Sequence, residues 1–173
     1  NIQGWINLYK PKNISSFKDI EKVKKIYHLK KIGHAGTLDP LAEGILPIAV
    51  GKATKLIPFI NNELKIYNFK INWGVQTFTD DNGGKIINEC NIYPSLKDIE
   101  LNIINYLGYI KQVPPRVSAV KIKGRRAYEL ARKNENFEIV SKDVFVKKLS
   151  IIRHEQKKTY FRIECGKGFY VRS

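Results

Sequence analysis

The sequence has no methionine at any of its 173 positions and only two cysteines, Cys90 and Cys165. Two thiols cannot build a disulfide framework, so a reducing, cytoplasmic setting is expected. A chain of this length can bury about 70% of its unfolded surface and needs no such staples. Long apolar runs are missing too. Each is broken by Lys, Asn or Gly, so no transmembrane helix is expected. The opening Asn1-Ile2-Gln3-Gly4-Trp5 lacks the charged and apolar regions of a signal peptide. Without Met at position 1, the sequence reads as a piece cropped from a longer one. Acidic residues are scarce, 16 against 31 Lys and Arg, for a net charge of +15. A surplus of that size favours a polyanionic partner. Lys accounts for 24 of the 31 basic residues and Arg for 7, and Ile and Asn are also abundant, so part of the basicity reflects composition drift towards AT-rich codons.

With 43% apolar and 27% charged residues the chain reads as one globular domain over 1–173. Strand and helix patterns mix without regular alternation, which predicts an α+β fold with a mixed, mostly antiparallel sheet flanked by helices. Trp5–Tyr9 reads as a strand. Ser16-Phe17-Lys18-Asp19 reads as a capping box opening a helix with Phe17, Ile20, Val23 and Tyr27 on one face. Residues 28–51 read as loop. Tyr67, Phe69, Ile71 and Trp73 alternate with polar residues and predict a half-buried strand. Asp80-Asp81-Asn82-Gly83-Gly84 predicts a hairpin turn. Ser95-Leu96-Lys97-Asp98 predicts a second capping box, opening a helix with Leu96, Ile99, Ile103 and Leu107. A strand is expected over 117–122, a short helix over 127–133, and a strand pair over 144–152 and 160–165.

Familiar cofactor motifs fail on spacing. Gly51-Lys52-Ala53-Thr54 has six residues between Gly44 and Gly51 where a phosphate loop has four between its glycines, and it lacks the hydroxyl needed after Lys. Gly166-Lys167-Gly168 lacks the third glycine and following helix of a dinucleotide site. His28, His34 and His154 show no metal-ligand spacing, and the Asp80–Gly84 turn has no closing Glu for calcium. What remains is Gly33-His34-Ala35-Gly36-Thr37-Leu38-Asp39-Pro40-Leu41-Ala42-Glu43-Gly44-Ile45-Leu46-Pro47, one Asp in a glycine-punctuated loop. Pro40 biases Asp39 towards extended backbone, and the glycines let another chain approach closely. These residues alone leave open whether Asp39 does chemistry or caps the next element.

That run, followed by Gly51-Lys52-Ala53-Thr54-Lys55, resembles the catalytic motif of the bacterial TruB-type pseudouridine synthases. Other blocks fall in the family's order: Leu8-Tyr9-Lys10-Pro11-Lys12, Tyr67, Pro114–Lys121, Gly124–Arg132, and Cys165-Gly166-Lys167-Gly168-Phe169-Tyr170-Val171-Arg172 as a last catalytic strand. Phe78 departs from the family's usual Asp, whereas Asp81 keeps the later acidic position. The sequence stops at Ser173, short of the rest of the family's catalytic domain and its common C-terminal RNA-binding domain.

The resemblance implies the pseudouridine synthase fold and isomerisation of uridine to pseudouridine at position 55, in the T-loop of tRNA, without cofactor or metal. It implies Asp39 as nucleophile or stabiliser of a sugar cation, with Arg172 as its partner. Tyr67 is set against the flipped base, with Tyr170 close by, and His34 fills the vacated space in the loop. RNA contacts are expected from the basic stretches, with Lys10, Lys12, Lys52, Lys121, Arg125, Arg126 and Arg132 as candidates. The expected partner is the tRNA T-arm, with no membrane and no obligatory protein partner, and the expected state is a cytoplasmic monomer. Two rivals stand beside this: the guide-RNA-dependent relatives, which share the Asp loop, and a non-catalytic RNA-binding or RNA-folding module.

Overall fold

The computed structural model describes residues 2–60 and 64–173. Its contacts cluster into two compact units, Asn1–Glu63 and Leu64–Ser173.

The first unit runs β1 (Gly4–Lys10), α1 (Ser16–Ile26), β2 (Ile32–His34), β3 (Gly44–Val50), a 3₁₀ turn (Gly51–Leu56) and α2 (Ile57–Ile60). The strands form an antiparallel sheet in the order β1-β3-β2, with Gly4 opposite Val50, Lys10 opposite Gly44, and Ile32 opposite Val50. Strand alternation in β1 turns Ile6, Leu8 and Lys10 inward and leaves Trp5 and Tyr9 exposed. Leu46, Ile48 and Val50 of β3 bury against Ile20 and Val23 of α1 and against Leu29. The region expected to be loop thus contains two strands. Pro47 sits in the central strand because its carbonyl, accepting from Ala35 N–H at 2.9 Å, faces the side where β2 has just ended at His34. The missing N–H of proline falls on that same side and interrupts no ladder bond.

The helix start differs from expectation by one residue. Ser15, not Ser16, is the N-cap, its Oγ accepting from Lys18 N–H at 3.2 Å. The buried face of α1 then runs through Ser16, Asp19, Ile20 and Val23, while Phe17 and Tyr27 face solvent.

The second unit contains β4 (Lys65–Asn72), β5 (Val75–Thr77), β6 (Ile86–Glu89), α3 (Leu96–Ile103), β7 (Gly108–Gln112), β8 (Lys121–Ile122), β9 (Arg125–Arg126), α4 (Ala127–Arg132), β10 (Lys142–Glu155) and β11 (Lys158–Cys165). Its main sheet is β4-β11-β10-β7, and every strand pairing among the described residues is antiparallel. The α+β expectation holds. Val146, Ile163 and Cys165 form the buried centre, with Tyr67, Phe69, Ile110, Leu149 and Phe169 against it. Burial there pushes the Cys165 thiol up to about 11, so it is a core residue and not a nucleophile. Phe69 and Phe161, paired across β4 and β11, stack at 5.3 Å. The second capping box forms as expected: Ser95 Oγ accepts from Asp98 N–H, and the Asp98 carboxylate accepts from Ser95 N–H at 2.9 Å.

Two expected strands shrink. Residues 117–119 are bends and 120 is irregular, and of the expected strand only Lys121–Ile122 pair, with Arg125–Arg126. The last motif is not a strand: pairing ends at Cys165, and 166–173 is irregular. β7 appears where no strand was expected.

Candidate active site

In the first unit the Asp39 loop links β2 to β3, and the residues on either side of Asp39 are tied down separately. Ser16 Oγ donates to the Leu38 carbonyl at 2.9 Å and accepts from Leu38 N–H at 3.0 Å. On the other side the Pro40 carbonyl accepts from Asn13 N–H at 2.8 Å and from Lys10 Nζ at 3.4 Å. Asp39 itself closes a turn, its carbonyl accepting from Ala42 N–H at 3.0 Å. Its side chain is half-buried. The serine misread as a helix cap is therefore a brace for the loop. Sequence gave no signal for this, because Leu38 lies 22 residues away.

Lys10 is a correction to the list of RNA contacts. It is fully buried, and its ammonium donates to Pro11 O at 2.8 Å and Ile14 O at 2.9 Å as well as to Pro40 O. Burial pulls its pKa below the usual value, and the nearby carboxylates of Asp19, Asp39 and Glu43 push back. A charge held on three carbonyls inside the unit cannot also meet a phosphate. The period of β1, which puts Lys10 on the face of Ile6 and Leu8, was the available sign.

Lys12 pairs with Glu43 at 3.1 Å, and Tyr9 donates to the same carboxylate at 3.1 Å. These two partners hold Glu43 below the usual carboxylate range. His34 ends β2 half-buried, its Nδ1 against the Gly36 carbonyl. Lys52 is exposed on the 3₁₀ turn.

In the second unit Tyr67 lies half-buried on β4, opposite Ile163 on β11. Tyr170 and Arg172 follow β11 in the irregular tail, which two devices shape. The buried Gln112 amide clamps the backbone: its Oε1 accepts from Tyr170 N–H, and its Nε2 donates to the Tyr170 and Ser173 carbonyls, all at 2.9 Å. Arg172 donates from Nη1 to Thr79 O at 2.9 Å and from Nη2 to Val117 O at 3.2 Å, with Asp81 Oδ2 at 3.5 Å from Nη1. Its side chain is 13% exposed, so it is a buried cation and no surface charge.

The Asp81 carboxylate is itself oriented by Thr79 Oγ at 2.7 Å and Gly83 N–H at 2.9 Å. Asp80 sits beside this group in left-handed backbone, φ +56°, and burial raises its pKa while Arg172 draws it down. Phe78, which departs from the family pattern, is partly exposed at the start of the same turn. Gln112 was missed entirely.

The remaining basic candidates cluster around β8, β9 and α4. Arg125 forms a two-bond pair with Glu135, at 2.9 and 2.7 Å, which raises the arginine pKa further. Arg126 donates to Ala119 O at 2.6 Å. Arg132 lies over the Tyr128 ring at 5.7 Å, and Lys121 is exposed. Among the described residues no group of three or more His, Cys, Asp or Glu is placed to hold a metal. Among the described residues no helix is long and apolar enough to cross a membrane.

Residues 24–171 match the TruB family pseudouridylate synthase, N-terminal domain. The tRNA pseudouridine synthase B of Ehrlichia chaffeensis is 49% identical over 172 residues, covering 98% of this chain and 58% of that protein. Its namesake from the Wolbachia of Culex pipiens is 48% identical, covering 99% and 49%. The chain thus spans about half the length of the curated relatives it matches. Among solved structures, a chain of a Cbf5-Nop10-Gar1 complex superposes with a TM-score of 0.69 at 28% identity, over 98% of this chain and 41% of that one. A chain of an H/ACA ribonucleoprotein bound to substrate RNA containing 2′-deoxyuridine gives 0.68 at 24% identity, over 98% and 40%, which supports the fold alone.

Proposed function

The chain belongs to the TruB family of pseudouridylate synthases, and on that premise we propose that it isomerises uridine to pseudouridine in the T-loop of tRNA. The observation that carries the reading is the Asp39 loop. One carboxylate is presented from a segment fastened at Leu38 and at Pro40, while a buried ammonium, Lys10, lies within electrostatic reach of it. A group that only capped an element would need no such double fastening.

In the proposed reaction the target uridine leaves its stack. The bond from C1′ of the ribose to N1 of uracil breaks, the base turns, and C5 bonds to C1′. The proton on C5 leaves, and N1 takes one up. The base that departs is the base that returns, so no water must be activated and one carboxylate suffices, where hydrolytic glycosidases use two. Asp39 acts on the sugar or on the base. Tyr67 stacks on the flipped uracil, and its hydroxyl moves the C5 proton. Arg172 orients Asp39, Tyr170 lines the base, and His34 takes the vacated space in the RNA loop. Lys12, Lys52, Lys121, Arg125, Arg126 and Arg132 contact the backbone. Identities of 43–49% to proteins named tRNA pseudouridine synthase B favour a stand-alone enzyme over a guide-RNA-dependent one.

A pseudouridine assay on a T-arm RNA, with no guide RNA or protein added, tests the proposal. Product is expected at the T-loop uridine and none when that uridine is replaced by cytidine. Formation only with a guide RNA would move the chain to the guide-dependent class, and tight T-arm binding without product would make it a binding module.

A further inference from the structure

In the second unit the segment Gln112–Val117 takes hold of the tail at two places. Gln112 closes β7 and is 7% exposed. Its side-chain amide is fully used: Oε1 accepts from Tyr170 N–H, and Nε2 donates to the Tyr170 and Ser173 carbonyls, each at 2.9 Å. Turning the amide over would set Oε1 against two carbonyls and Nε2 against an N–H, so all three bonds require this orientation. Further along the same segment, the Val117 carbonyl accepts from Arg172 Nη2 at 3.2 Å. Between the two grips Pro114 and Pro115 are buried. Each fixes its own φ and restricts the residue before it, so few conformations are open to the segment. Arg116 ties it to the chain beyond α4, with its guanidinium 4.4 Å from the centroid of the Phe137 ring. The tail that is gripped lies past the sheet: strand pairing ends at Cys165, and residues 166–173 are irregular.

We propose that Gln112 is a positioning residue for the reaction, holding the backbone on both sides of Arg172 so that Tyr170 and Arg172 are presented in one geometry, an inference that rests on the function proposed above. Its bonds fall at residues 170 and 173 and so bracket Val171 and Arg172. The guanidinium is held separately, at the Thr79 and Val117 carbonyls. The Arg172 side chain is thereby fixed at both ends, and a long side chain fixed at both ends delivers its charge to one place. Because Gln112 and Val117 belong to one stiff segment, the backbone grip and the guanidinium grip are set relative to each other. The role is indirect: Gln112 acts through the residues it brackets. A glutamine that only closed β7 would need no bonds to residues 58 and 61 further along the chain.

The test follows single-turnover pseudouridine formation on a T-arm RNA by the wild-type chain, Gln112→Met and Gln112→Glu, with T-arm affinity and thermal melting measured alongside. Assays run well below every melting temperature, so that the folded fraction is the same throughout. Gln112→Met keeps the shape and makes none of the three bonds. Its rate is expected to fall about 10–100-fold with affinity within about twofold, since a displacement of about 1 Å can cost about 10²-fold. Gln112→Glu separates positioning from packing. One of its oxygens would face the Tyr170 and Ser173 carbonyls to which the amide donated. Ionised, it repels both; protonated, it donates to one, and burial raises the pKa of a carboxyl. Its rate relative to wild type is therefore expected to climb as the pH falls from about 8 to about 6. The relative rate of Gln112→Met should stay level over the same range. Full activity in Gln112→Met, or a relative rate of Gln112→Glu that does not change with pH, would overturn the proposal. Rates and affinities that fall together would also overturn it, by making Gln112 part of RNA binding, as would loss of the fold in both variants, by making it a core residue alone. A wild-type chain that forms no pseudouridine would instead defeat the underlying RNA-modification reading, and this proposal with it.

Discussion

The Asp39 loop and the tail that carries Arg172 are both irregular, and both present one candidate catalytic charge, but they are held in opposite ways. The Asp39 loop is fastened on both sides of its candidate residue: Ser16 holds Leu38, and Lys10 and Asn13 hold Pro40. In the tail the functional side chain is itself a fastener. Arg172 bonds the Thr79 and Val117 carbonyls and approaches Asp81, while the Gln112 clamp is separate from it. The fastenings at Leu38 and Pro40 can be cut without replacing Asp39, whereas at Arg172 the candidate charge and the fastening are one side chain. Substitutions in the two segments should therefore divide their effects between rate and stability differently.

The largest effect is expected from Asp39→Asn. Turnover should fall by at least about 10³-fold, while Tm and T-arm affinity stay close to wild type, since affinity rests on phosphate and shape contacts. Single-turnover assays with parallel melts would check this, and a variant that retains most of the wild-type rate would remove Asp39 from the chemistry.

Tyr67 lies on a regular strand, opposite Ile163 and packed against the core of the second unit. Tyr67→Phe should lose about 10²–10⁴-fold in rate with binding intact. Tyr67→Leu should lose binding as well, because stacking is worth roughly 1–3 kcal/mol. A fully active Tyr67→Phe enzyme would leave only the stacking role.

Arg172→Lys should be nearly as damaging as Arg172→Ala, costing about 10²-fold in rate together with a lowered Tm. Lysine keeps the charge and loses the planar fork that spans two carbonyls and a carboxylate. A rate loss with no change in Tm would break the contrast drawn between the two segments.

Lys10→Met keeps the volume and strips the partner from three carbonyls. It should destabilise the fold by about 2 kcal/mol, read as a Tm drop of roughly 5 °C, while the salt slope of RNA binding stays unchanged. A flatter slope would restore Lys10 to the RNA contacts.

The smallest effects separate two neighbouring serines. Ser15→Ala removes the helix cap and should cost about 1 kcal/mol with little change in rate. Ser16→Ala frees Leu38 and should cost a similar stability but also about tenfold in turnover, through a looser Asp39. Equal rates for the two variants would show that the loop does not depend on Ser16.

Local signals were legible where the partners lie close in sequence. Ser95 and Asp98 are three residues apart, and their capping box forms as read. The alternation of Tyr67, Phe69 and Ile71 became β4, and the Asp80–Gly84 turn became the connection between β5 and β6. The Asp39 motif was legible too, as an ordered run of residues that few other chains would share. Signals failed where a distant partner decides. Ser16 resembled a cap until Leu38 claimed its hydroxyl. Strands β2 and β3 hid behind glycines and a proline that only a strand ending at the right place makes harmless. The run 117–120 has strand composition, yet it bends to offer Val117 O to Arg172, 55 residues on, and Ala119 O to Arg126.

Composition and periodicity by themselves determined the antiparallel α+β class and the basic character, and the ordered run around Asp39 carried the family resemblance, because each is written in residues adjacent or nearly adjacent along the chain. The folded chain decided which charges are available. Lys10 went from candidate RNA contact to internal brace, and Arg172 from strand residue to buried anchor. A side chain's charge is a property of the residue. Whether it meets solvent, a carbonyl or a phosphate depends on what the rest of the fold brings within three ångströms of it, and sequence spacing carries no record of that distance.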